Sequence, residues 1–195
     1  QASEGPVLSR NQPTAPRTAS SPPDSPLQAL ARLKAALLAA RSDQESNYRV
    51  TPTGLWTWSD LDEVIELFMQ IDIGQYKRLV DLGSGDGRVV CLASYFTRAA
   101  GLEADPGLVD QSQRLAAGLG LERAEFRRID LRRADLSPYD LLYIFPDKPL
   151  DWLEQMPDHA WQGKLLVYGT AFQPKGLNHL ATLYAGSTMC TLWRR

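Results

Sequence analysis

The sequence predicts an α/β sandwich built on a mostly parallel sheet. Three observations lead there. Between Arg78 and Tyr168, apolar runs that read as buried strands alternate with segments of helical apolar spacing, the pattern of parallel strands joined by crossover helices. The first run, Arg78-Leu79-Val80-Asp81-Leu82, passes directly into Gly83-Ser84-Gly85-Asp86-Gly87 and a resumed apolar segment, which reads as strand, tight turn and helix start. Near the carboxyl end, two apolar segments flank Ala185-Gly186-Ser187 and read as one terminal hairpin.

At 195 residues and 44% hydrophobic composition, the chain can bury one sizeable core but not two. A net charge of −2 and a pI near 5.7 provide no overall basic field, so no nucleic-acid partner is expected. The apolar run from Ala35 to Ala40 is far too short to span a bilayer, and no other stretch does better. Cys91 and Cys190 stand far apart without CxxC spacing. They read as buried structural thiols, with no metal site expected and a reducing, cytoplasmic setting favoured. His159 and His179 have no ligand or acid at motif spacing and read as structural.

Residues 1–25 are rich in Pro, Ser, Thr and Ala, a composition expected to stay disordered. Arginines and hydroxyls without an acid between Gly5 and Pro23 leave a targeting remnant, and with it an organellar location, as the alternative. Residues 26–47 read as a helix and linker. Ser25 caps the helix, Pro26 takes its first position, and it runs to about Arg41. Leu27, Leu30, Leu37 and Leu38 make its apolar face, with Arg32, Lys34 and Arg41 elsewhere. That face packs on the domain or, alternatively, docks peripherally on a membrane or partner.

Residues 48–195 form the main domain. Residues 48–54 read as loop. Ser59 is expected to cap a helix, with Asp62 completing a weak capping box and Leu61, Val64, Ile65 and Phe68 facing the core. After the glycine turn a helix runs to about residue 97, and residues 99–103 form the second strand. Asp105-Pro106 opens the next helix, which Gly118 and Gly120 end. Residues 124–129 form the third strand, closing on Asp130. Residues 139–145 form the fourth, with the near-continuous apolar run of a central parallel strand. A short helix over 150–156 precedes the fifth strand, 164–168. The next ten or so residues, broken by Pro174 and Gly176, are too few for a helical crossover. Residues 178–184 and 189–193 pair as the hairpin.

The apolar residues around Asp81 fix the glycine turn at the carboxyl end of the sheet, where open α/β sheets bind ligands. A dinucleotide fold would show G-x-G-x-x-G with pyrophosphate on the helix end. Here the glycines are Gly83, Gly85 and Gly87, and Asp86 stands where that anion would lie. Two like charges about 4 Å apart repel by roughly 1 kcal/mol in water and about 4 at a protein surface, and Asp81 adds a second negative charge. A ligand with an ammonium and a sulfonium is favoured instead. S-adenosylmethionine (SAM) is such a ligand. Glu103, at the end of the second strand, is placed to accept both ribose hydroxyls, and Asp130, at the end of the third, to meet the adenine amino group. Singly, each reads as a strand-end or capping carboxylate. With the turn they give a cofactor set of Asp81, Gly83, Ser84, Gly85, Asp86, Gly87, Glu103 and Asp130.

The run from Arg78 to Asp130 resembles motif I and its following acids in the class I SAM-dependent methyltransferases. More narrowly, Asp81-Leu82-Gly83-Ser84-Gly85-Asp86-Gly87-Arg88 and Gly101-Leu102-Glu103-Ala104-Asp105-Pro106, with Leu108-Val109, resemble the small protein-lysine methyltransferases that modify the ATP synthase c subunit and the adenine nucleotide translocase. The Asp-Leu-Gly-Ser-Gly turn is also similar to that of the non-SET histone-lysine methyltransferases. The resemblance implies a Rossmann-like, seven-stranded class I methyltransferase sandwich with a carboxyl-terminal hairpin, here with a shortened connection between strands five and six. It also implies in-line methyl transfer from SAM to a protein lysine. A small-molecule acceptor and a non-catalytic SAM-fold subunit are the alternatives.

The family's Tyr/Pro/Thr segment is echoed by Tyr48 and Thr51-Pro52-Thr53 at altered spacing. Two departures bear on the substrate. Gly169-Thr170-Ala171-Phe172-Gln173-Pro174 replaces an aromatic-proline segment, and Phe145-Pro146-Asp147-Lys148-Pro149 is not the Asn/Asp-Pro-Pro-Tyr of amino-methylating DNA enzymes. The expected substrate rim is Tyr48, Thr53, Phe145, Asp147 and Phe172. No catalytic base is assigned, because alignment carries most of the reaction, and desolvation and the sulfonium both lower a lysine's pKa.

Overall fold

A computed structural model describes residues 25–40, 48–51 and 54–195. Thr53, most of the predicted tail and the linker therefore lie outside the described residues.

Helix α1 (Pro26–Ala39) starts as its sequence predicts. Ser25 and Gln28 form a reciprocal capping box, and Pro26 occupies the first turn. Its predicted end near Arg41 falls outside the described residues. Only half of the predicted apolar face is covered: Leu30 and Leu37 are buried, whereas Leu27 and Leu38 are exposed. The Tyr95 hydroxyl donates to the Pro26 carbonyl at 2.8 Å, and Lys34 pairs with Asp62.

The segment read as loop is instead a pair of antiparallel strands, β1 (Tyr48–Thr51) and β2 (Gly54–Thr57). β-Branched and aromatic residues crowd both arms, and that preference outweighs the Pro/Thr/Gly turn signals between them. Helix α2 (Leu61–Gln70) is capped by Asp60 rather than Ser59. The Asp60 carboxylate accepts from the amides of Asp62 and Glu63 at 2.8 and 3.1 Å. A single Asp60 carboxylate oxygen takes both amides, its negative charge favoured at the positive helix end, and the Ser59 hydroxyl bonds the Tyr143 hydroxyl at 2.8 Å.

The sheet begins with β3 (Arg78–Leu82), followed by α3 (Arg88–Ala93) and β4 (Arg98–Glu103). Helix α3 stops four residues before its predicted end, because the Ser94 hydroxyl takes the Cys91 carbonyl at 2.7 Å and competes with the helical ladder. Helix α4 (Pro106–Gly118) is capped by Asp105, as predicted. Strands β5 (Ala124–Arg128) and β6 (Leu141–Ile144) follow, then the single-turn α5 (Asp151–Glu154). Strand β7 (Lys164–Tyr168) leads without a helix to β8 (Asn178–Ala185) and β9 (Thr188–Arg194).

These seven strands form one sheet in the order β5-β4-β3-β6-β7-β9-β8. All neighbours are parallel up to β7, and β9 runs antiparallel to both β7 and β8. The order reverses between β3 and β6, so the connections leave the sheet in opposite directions there and open a crevice at the carboxyl ends. One apolar core holds α1, α2, α3 and α4 against the sheet. On the other face α5, the fully buried Trp161 and irregular chain cover Val80, Leu82, Leu142 and Val167. Among the described residues, no helix is long and apolar enough to cross a membrane.

Candidate active site

The glycine turn sits at the carboxyl end of β3, in that crevice. Gly83, Gly85 and Gly87 adopt φ of 86°, 54° and 81°, the left-handed region that glycine enters without a Cβ penalty. The amides of Gly83 and Ser84 both donate to the Leu102 carbonyl, at 2.9 and 3.1 Å, pinning the turn to β4. Close approach adds a second requirement. A Cβ on Gly101 would stand 2.6 Å from both Phe126 and the Ser84 hydroxyl.

Around this turn lies a cavity of about 460 Å³. Of the predicted cofactor set, Asp81, Gly83, Ser84, Asp86, Glu103 and Asp130 line it, while Gly85 and Gly87 shape the turn behind. The lining carries five carboxylates, from Asp81, Asp86, Glu103, Asp130 and Asp147, against the cations Arg88, Arg132 and Lys148. The site is therefore net acidic.

Each carboxylate does different work. Glu103 is buried and accepts the amides of Ala104, Asp105 and Gly85 at 2.7, 2.9 and 3.1 Å. It fastens the turn to β4 and retains acceptor capacity, since a carboxylate offers about four lone-pair positions. Asp130 is exposed and caps the following 3₁₀ turn, accepting from the Arg132 amide at 3.1 Å. The capping role and the place on the cavity wall coexist. Asp86 corrects the charge argument made from sequence. It forms a buried ion pair with Arg88, whose guanidinium lies 4.7 Å from the Trp58 ring centroid. Its charge is largely compensated, so Asp86 contributes little to rejecting a pyrophosphate.

Asp81 carries that negative potential instead. It is 3% exposed. Burial first, then the charges of Glu103 and Asp86, hold its carboxyl well above the usual carboxylate range, and no hydrogen bond among the described residues offsets them. The Ser84 hydroxyl is likewise buried without a hydrogen-bond partner among the described residues. Buried polar groups are normally satisfied; the Ser84 hydroxyl packs towards Gly101 of β4, whereas Asp81 is part of the cavity lining.

The register Asp81↔Tyr143 sets a tyrosine beside Asp81 at the end of β6. Burial, followed by the Asp81 charge, raises the Tyr143 phenol well above its ordinary value. Tyr168, at the end of β7, is also raised, by burial first and then by its hydrogen bond to Glu63. Both phenols stay protonated near neutral pH and cannot serve there as bases. Of the predicted rim, Phe145 and Asp147 line the cavity, whereas Phe172 does not. The side chain of Tyr48 and all of Thr53 lie outside the described residues. Sequence reasoning missed Trp58, Ser59, Arg88, Tyr143 and Trp152 as lining residues. Tyr143 could have been found by aligning strand ends with Asp81, and Arg88 as a cation inside an otherwise apolar helix start. Nothing in the sequence marks Trp152.

No family model matches the chain, and no curated protein matches it. Solved structures do. An RNA methyltransferase from Salinibacter ruber, in complex with S-adenosyl-L-homocysteine, superposes with a TM-score of 0.62 at 24% identity, over 71% of this chain and 93% of that one. The fold is that of the class I methyltransferases. A methyltransferase from Geobacter sulfurreducens matches with a TM-score of 0.58 at 16% identity, over 90% of this chain and 93% of its own. A variant of MtNAS in complex with S-adenosylmethionine gives 0.57 at 15% identity, over 87% and 74%. In this chain the crevice opens at the β3/β6 switch point, where Asp81 lies without a hydrogen-bond partner among the described residues. Among the described residues, no cluster of His, Cys, Asp and Glu could hold a metal ion.

Proposed function

We propose that the protein is a SAM-dependent methyltransferase whose acceptor is an amine, most specifically a protein lysine. One observation carries the cofactor reading: Asp81, a buried carboxylate in the cavity lining, has no hydrogen-bond or ion-pair partner among the described residues. The α-ammonium of SAM supplies that cation. The acceptor position left on Glu103 suits a ribose hydroxyl. When bound, SAM supplies a methyl carbon activated by its sulfonium.

The chain's own residues align the acceptor and exclude water. Trp58, Tyr143, Phe145 and Trp152 give the cavity aromatic walls, with Asp147 among them. Aromatic faces and a carboxylate attract a primary ammonium and guide its alkyl stem. At about 460 Å³ the cavity stands near the small end of ligand pockets. One cofactor-sized molecule takes most of it, so the acceptor reaches the methyl group from the mouth. A lysine stem is built for that reach. Deprotonating the amine from its reference pKa near 10.4 costs roughly 4.6 kcal/mol at pH 7. Desolvation among the aromatic walls lowers that cost. The net-acidic lining disfavours a polyanionic acceptor.

Radiolabelled SAM incubated with the protein and a cell lysate, followed by mass spectrometry, tests this reading. Label on protein lysines is expected. Label confined to small solutes or nucleic acid overturns the lysine assignment, and no transfer together with no SAM binding overturns the reading as a whole.

A further inference from the structure

A second cavity, of about 430 Å³, opens at the opposite, amino-terminal ends of the parallel strands. Three adjacent strands begin there with arginine. Arg78 is the first residue of β3, Arg98 the first of β4, and Arg123 directly precedes β5. The register pairs Arg78 with Arg98, and the pairing of Ala99 with Ala124 brings Arg123 beside Arg98. Neighbouring strands lie about 4.8 Å apart, and side chains at paired positions leave the same face. All three arginines line the cavity, together with Glu122, Glu125 and Tyr139.

Like charges placed directly across strands destabilise a sheet, and the local acids do not neutralise this row. Glu125 is shared, 3.5 Å from Arg78 and 3.1 Å from Arg127. Arg98 is exposed, and neither it nor Glu122 forms an ion pair among the described residues. Arg78 is held over the Tyr139 ring at 5.5 Å, and Arg123 donates to the Tyr95 carbonyl. Two of the three guanidinium groups are thus held by the fold, while the central one, Arg98, is exposed on the cavity wall.

The geometry points to a binding site for a phosphate-bearing small molecule. Guanidinium forks match phosphate oxygens two at a time, and a row of them serves a group with several anionic oxygens. The volume exceeds what a lone phosphate needs and falls in the range of small-ligand pockets. The site is distinct from the methyl-transfer crevice, since the five residues of β3 separate them by about 15 Å. It does not depend on the proposed function.

Calorimetric titration with inorganic pyrophosphate tests the site, using the wild type, Arg98→Gln and, as a control at an exposed arginine outside the cavity, Arg128→Gln. Saturable binding that weakens with added salt is expected in the wild type and in Arg128→Gln. Arg98→Gln should weaken it at least about tenfold, with a melting temperature in the absence of ligand that is equal or higher, because the Arg78–Arg98 repulsion is relieved. No saturable binding at millimolar pyrophosphate, or an equal loss in both variants, overturns the proposal.

Discussion

Asp81→Asn should stabilise the protein and disable it in the same step. A buried polar group left without a partner costs about 1–3 kcal/mol, and a charged one more. The amide keeps the shape of the carboxylate and removes its charge. For a chain of this length 1 kcal/mol moves the melting temperature by about 2–4 °C, so the ligand-free variant should melt about 2–12 °C higher. The gain must depend on pH. Because the folded Asp81 value is raised, stability is fully present below the ordinary value of 3.8 and is lost as pH rises through the raised one. The difference between wild type and variant should therefore vanish in acid and grow towards neutrality. Binding moves the other way. A charge-assisted hydrogen bond is worth about 1.5–3 kcal/mol, a loss of roughly 10–150-fold in affinity. S-adenosylhomocysteine is the right probe, because it keeps the ammonium and lacks the sulfonium. Its affinity for the wild type should fall as pH drops through the raised Asp81 value and stay flat in the variant. Differential scanning fluorimetry with and without this ligand reads both effects. A lower melting temperature for ligand-free Asp81→Asn near neutral pH, or an undiminished ligand shift, would refute the reasoning.

The ion pair beneath the cavity predicts a different pattern. Arg88→Met strands the buried Asp86 charge and should cost about 3–5 kcal/mol in urea unfolding, much of it recovered in the double variant with Asp86→Asn. The glycine turn should discriminate between its own members. Gly83→Ala meets only the left-handed backbone cost of about 1–2 kcal/mol, since nothing lies within 4 Å of its added Cβ. Gly87→Ala adds contacts of 2.7 Å with Phe126 and Ser112 and should be clearly worse by the same assay. Burial pushes the Cys91 thiol up to about 12 from an ordinary 9.0, so stability present below pH 9 should be lost as pH rises towards that value. Iodoacetamide at pH 8 should accordingly leave Cys91 and Cys190 unlabelled until the protein is unfolded.

Strand and helix order was legible because each signal was local. Val80 and Leu82 announce a buried strand, alternating glycines a left-handed turn, and Asp105-Pro106 a capped helix. Even the missing crossover before β8 follows from Pro174, Gly176 and too short a span. Misreadings arose where two local preferences competed. Residues 48–57 combine turn residues with β-formers, and tertiary pairing decides between them. Ser59 and Asp60 are both good caps, and the choice rests on Tyr143 waiting 84 residues away for the Ser59 hydroxyl.

By itself, the sequence determined the sheet, the position of the glycine turn and the acids that follow it, because backbone conformation and apolar periodicity are encoded over a few residues. Only the tertiary structure decided what those acids do. Arg88 neutralises Asp86, three backbone amides bond Glu103, and Asp81 is left buried without a partner among the described residues. Partnership and burial are relations between distant segments, and they turn a chemically plausible set of carboxylates into one specific place for a cation.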